Sequence, residues 1–126
     1  MSDELFFKLH SMDKAMVERL ANCKEHSEER NRVLAGWKRE KGLTIGRHRE
    51  ELRSRGFALE RESEKLLNEY TRLRESAKAQ GLTDLERVPG CRPWSKIHAE
   101  MSAIETKRKD IRDEIALCNQ RQANIW

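Results

Sequence analysis

Apolar residues recur along most of the chain at steps of three and four, the spacing that lines one face of an α-helix. The first stripe reads Leu9, Met12, Met16, Leu20 and Cys23, passes through polar Ser27 and Arg30, and resumes at Leu34 and Trp37. It predicts a helix over 3–41, capped by Ser2 or Asp3 and ended by Gly42, with looser packing where the polar pair interrupts it. Leu43-Thr44-Ile45-Gly46 then reads as a tight connection, with Thr44 capping a second helix over 44–80 that stops before Gly81. In that helix Ile45, Leu52, Leu59, Leu66 and Leu73 fall seven apart, beside a second row of Gly56, Ser63, Tyr70 and Ala77. The small residues of this row favour close approach by a neighbouring helix, and Gly56 marks either that approach or a local break in the helix.

Residues 82–93 form the long connection. Thr83 and Glu86 match a capping box and predict one helical turn over 83–88, halted by Pro89-Gly90. Pro93 suits the first position of a third helix over 94–126, where its missing N–H leaves nothing unpaired. That helix has the most regular stripe: Trp94, Ile97, Met101, Ile104, Arg108, Ile111, Ile115, Cys118, Gln122 and Ile125, alternating steps of three and four. The stripe is still running at Trp126, which predicts either a free helix end or a chain that is part of something longer.

The fold class that follows is all-α: long antiparallel helices in a three-helix coiled-coil-like bundle, one domain over 1–126. The short link sets the first two helices antiparallel, and the longer one returns the third alongside. A dimer in which the third helix pairs across chains satisfies the same heptads, so a homodimer stays open. This packing gathers Phe6, Phe7, Leu82, Leu85 and Trp94 at one end and Trp37, Ile45, Ile125 and Trp126 at the other. Trp126 is expected to be the least buried of these. Arg108 lies on the seam and should be paired near Glu62 and Glu69, or sit at the seam's edge.

Composition agrees with long helices. Charged residues reach 38% against 37% hydrophobic, with only six Gly and two Pro to interrupt them. No apolar run approaches the ~20 residues that cross a bilayer, and the N-terminus is acidic where a secretory leader is basic. No membrane association is expected, and a cytoplasmic or nuclear location is. Three separated cysteines, Cys23, Cys91 and Cys118, suit reduced thiols rather than a disulfide framework.

Candidate chemistry is sparse. His10, His26, His48 and His98 share no i, i+3 or i, i+4 spacing with each other, and Cys23–His26, the one His–Cys pair at such a spacing, has no second pair to join it, so no metal site is expected. There is no Gly-rich phosphate loop and no G-x-S-x-G, and no cofactor is implied. Cys91, beside Arg87 and Arg92, is the one thiol placed for reactivity, although a bystander loop cysteine is the simpler reading. Trp37 and Trp94 fall on stripes and read as core. No catalytic residue is expected, and the chain reads as a non-enzyme.

The net charge of +4 sits in one place. Residues 38–55 hold Lys38, Arg39, Lys41, Arg47, Arg49, Arg53 and Arg55 against Glu40, Glu50 and Glu51, and the remainder is balanced. At a hairpin tip, Arg39, Lys41, Leu43, Ile45, Arg47 and Arg49 would converge into a partner-binding surface. The expected function is a coiled-coil interaction or adaptor module that docks to a protein partner within a larger assembly. The alternative is a basic helical protein that binds nucleic acid or an acidic filament surface. Plain solvation of a hairpin tip is the simplest reading of the same charges.

Overall fold

The computed structural model describes residues 3–125; the expectations for Ser2 and Trp126 lie outside these. Helix covers 84% of the described residues, in three elements with no strand among them: α1 (Asp3–Ala21), α2 (Glu28–Ala79) and α3 (Trp94–Ile125). The all-α helical bundle expected from the stripes is what forms. Two boundaries differ from expectation. The first helix ends at Ala21 rather than at 41, and the second starts at Glu28 rather than at 44.

Local chemistry accounts for the break. After Ala21 the N–H groups of Asn22 and Cys23 bond back to the carbonyls of Arg19 and Leu20 at 3.2 and 3.1 Å, tightening the last turn. The Asn22 amide and the Cys23 thiol also donate to the carbonyls of Glu18 and Arg19, occupying acceptors that a continuing helix would use. His26 then adopts a left-handed φ of 60°. Ser27 opens α2: its Oγ accepts the Arg30 N–H at 3.2 Å and its carbonyl accepts the Asn31 N–H. Glu28 and Glu29 in the first turn complement the positive end of the helix dipole.

Gly42 and Gly46, expected to flank a turn, instead lie within α2. Each glycine disfavours helix by about 1 kcal/mol relative to alanine, which packing on an apolar face overrides. Here Ile45 and Leu52 are completely buried and Thr44 touches the Met12 sulfur.

At its other end α2 stops as the sequence predicts. Gly81, with φ of 68°, donates to Lys78 O, and Leu82 donates to Ala77 O at 2.8 Å, the paired bonds of a Schellman cap. No helix forms over 83–88, where the backbone makes a single i→i+3 bond from the Arg87 N–H to Asp84 O at 3.4 Å. Asp84 Oδ1 accepts the Glu86 N–H instead, and the Glu86 carboxylate accepts both the N–H and the Oγ–H of Ser95, capping α3.

The chain divides into two compact units, residues 1–53 with 112–126 and residues 54–111. In the first, buried side chains come from all three helices: Leu5 and Leu9, Ile45 and Leu52, Cys118 and Ile125. In the second, Leu66, Leu73, Ala77, Val88, Ile97 and Ile104 form one cluster, with Leu59, Tyr70, Leu85, Cys91, Trp94 and Met101 against it. Within this unit α2 and α3 run in opposite directions: a Cβ on Gly56 would lie 3.9 Å from Ile111, while Tyr70 meets Trp94 at a ring separation of 4.4 Å. Every position of the α3 stripe is buried or half-buried. Arg108 lies at the seam's edge, bonded to Glu105 of its own helix at 3.2 Å. Phe6 and Phe7 belong to the first unit and Leu82, Leu85 and Trp94 to the second, and both phenylalanines are exposed.

Candidate functional site

The basic segment is helical throughout, so its residues are distributed around a cylinder rather than gathered at a tip. Helical spacing separates the six expected contact residues into two groups. Ile45, Lys41 and Arg49 face inward. Arg39, Leu43 and Arg47 face out.

The inward group is already engaged. Ile45 has no exposed surface and acts as core, which corrects its assignment as a contact residue. Lys41, with 15% of its side chain exposed, binds Asp13 of α1 through Nζ at 2.8 and 3.1 Å and lies 4.7 Å above the Trp37 ring. The Trp37 indole N–H donates to the same Asp13 carboxylate at 3.0 Å, so one acid on α1 holds two residues of α2. Trp37 is therefore half-buried rather than a fully enclosed core residue. Arg49 donates from Nη1 to Asn119 Oδ1 at 2.9 Å and to Gln122 Oε1 at 2.6 Å on α3. Arg47 and Arg49 lie well inside α2, so neither opposes a helix dipole.

The outward group forms a ridge. Arg39, Leu43 and Arg47 stand at i, i+4 and i+8 on α2, and Leu43 is 54% exposed between the two guanidinium groups. Arg32 precedes Arg39 by seven residues and extends the same face; it pairs loosely with Glu28 at 3.8 Å. Arg32 lies outside the basic segment defined by charge counting. Its place on the ridge becomes visible only once α2 is known to start at Glu28.

A second charged constellation lies outside the basic segment. Arg92, in the connection between α2 and α3, donates from Nε and Nη2 to Glu69 at 2.6 and 2.7 Å, and from Nη1 and Nη2 to Glu100 at 2.8 and 2.9 Å. The hydrogen bonds from Arg92 hold both carboxyl groups below the usual carboxylate range. The signal in the sequence was weak, because Glu69 and Glu100 are two of many acids on helices.

Cys91 lines a hollow of about 420 Å³ with Lys65, Asn68 and Arg72. Its neighbour Arg92 is committed to the two glutamates. Burial pushes the Cys118 thiol up, in keeping with a packing role. Among the described residues no three His, Cys, Asp or Glu side chains converge as a metal site, and no helix is long and apolar enough to cross a membrane. Comparison of the chain with protein-family models, with curated proteins and with solved structures returned no match.

Proposed function

We propose that this chain is a non-enzymatic helical interaction module that docks an acidic partner surface along the Arg39–Leu43–Arg47 ridge. The observation that carries this reading is the 54% exposure of Leu43 between two exposed arginines on one helical face. A leucine there supplies apolar contact, while the flanking guanidinium groups select carboxylates and set orientation. The neighbouring cations Lys41 and Arg49 are held by Asp13, Asn119 and Gln122, so they rigidify the ridge from behind instead of reaching the partner.

The test pairs affinity capture from the native host with the variant Arg39→Glu/Arg47→Glu. Both positions are exposed, so helicity and melting should stay nearly unchanged while capture of the partner weakens at least about tenfold. Capture at full affinity would contradict the docking role. A second reading, binding to nucleic acid, is favoured by the excess of Lys and Arg over residues 38–55. A salt titration separates the two: several phosphate contacts make affinity fall steeply with salt, whereas a ridge centred on Leu43 retains an apolar, salt-insensitive part.

A further inference from the structure

The unit formed by residues 54–111 buries its stripe between two helices and the connection that joins them. Its cluster is tightest where the connection closes over it, with Leu73 and Ile97 completely buried. Further along, Leu66 and Ile104 keep 8% and 7% of their surface exposed on the floor of a hollow of about 370 Å³. Exposed Ala103 leaves this floor shallow, so that a further helix could lie close. Helix pairs of this kind ordinarily complete their core with a third or fourth helix.

The rims of the hollow indicate what covers it. Each carries one carboxylate and one ammonium: Glu62 and Lys65 on α2, Glu100 and Lys107 on α3. Because the helices run in opposite directions, one end of the groove holds Glu62 and Lys107 and the other holds Lys65 and Glu100. A two-fold axis along the helices sets α2 of one copy over α3 of the other, bringing Glu62 to Lys107 and Lys65 to Glu100. A two-fold axis across the helices brings Glu62 to Lys65 and Glu100 to Lys107. Either operation gives every rim charge an opposite partner. A partner face of one sign would instead meet like charge on both rims. Arg92 engages Glu100 from one side and leaves half of that side chain exposed.

We propose that the groove bounded by Glu62, Lys65, Glu100 and Lys107 is the isologous interface of a homodimer, in which two α2–α3 hairpins complete a four-helix core over Leu66, Ala103 and Ile104. This surface is distinct from the Arg39–Leu43–Arg47 ridge, and either can fail without the other. The test is solution mass by sedimentation or light scattering, at micromolar to tens of micromolar chain, for the intact protein and two charge variants. Glu62→Lys/Glu100→Lys makes the rims wholly basic, and Lys65→Glu/Lys107→Glu makes them wholly acidic. The intact chain should be dimeric, each variant alone should dissociate at least about tenfold more readily, and an equimolar mixture of the two should recover a dimer. An intact chain that stays monomeric leaves the groove to a foreign helix or to solvent and overturns the proposal, as do variants that dimerise like the parent or a mixture that stays monomeric. Cross-linking the unmodified protein keeps the test independent of variant folding. In mixed heavy- and light-isotope chains, amine cross-links between copies should involve Lys65 and Lys107; cross-links confined to other lysines would also overturn it.

Discussion

Arg92 shows how much one side chain can organise in a chain with few buried polar groups. It lies in the connection, yet its guanidinium ties that connection to Glu69 on α2 and Glu100 on α3 through four hydrogen bonds. The direction of the carboxylate shifts fixes the pH dependence. Both groups have folded pKa values below the ordinary value, so their contribution is fully present above that value and is lost as pH falls through the lowered folded values. The pairs are solvent-accessible, and water and salt keep the effect small. Between about pH 5 and about pH 3, the melting temperature of the unmodified chain should therefore fall somewhat more than that of Arg92→Ala. Equal acid sensitivity in the two proteins, measured by thermal melts monitored at the helical circular-dichroism band, would mean that the clamp contributes nothing in solution.

At the scale of the element, α2 is where glycine counting and packing disagree. Gly36, Gly42 and Gly46 have open space where a Cβ would go, and Gly56 meets only ordinary contact with Ile111, so close packing requires none of them. Gly42→Ala and Gly46→Ala should each stabilise the protein by about 1 kcal/mol, seen as a higher urea midpoint. Leu43→Pro, at an exposed position, should destabilise by about 3 kcal/mol or more because it removes a mid-helix hydrogen bond. A turn at 42–46 gives the opposite pattern, with alanine harmful and proline tolerated. The true boundary was partly legible. Ser27-Glu28-Glu29 is a cap followed by two acids, and it coincides with the polar interruption at Ser27 and Arg30. The apolar steps nevertheless continue in phase on either side of it, while two glycines four apart imitate a turn. The left-handed His26 leaves no comparable mark, since positive φ is uncommon for any residue but glycine and a lone histidine does not signal it.

For the molecule as a whole, the stripes were the dependable signal and the connections were not. Ile45, Leu52, Leu66, Leu73, Ile97, Ile104, Cys118 and Ile125 were all placed inward by spacing and all are buried, because the helical period survives an error in where a helix begins. The candidate surface was more fragile. Which basic residues face out depends on whether they share one helix or flank a turn, and moving the break from 42–46 to 22–27 turned six expected contacts into three exposed and three engaged. The docking ridge thus stands on the continuity of α2 through residues 42–46. Amide hydrogen exchange read residue by residue tests that continuity directly. Slow exchange at Leu43, Thr44, Ile45 and Gly46, together with fast exchange at Lys24, Glu25 and His26, is the predicted result. Fast exchange through Gly42–Gly46 with protection across 22–27 would contradict it.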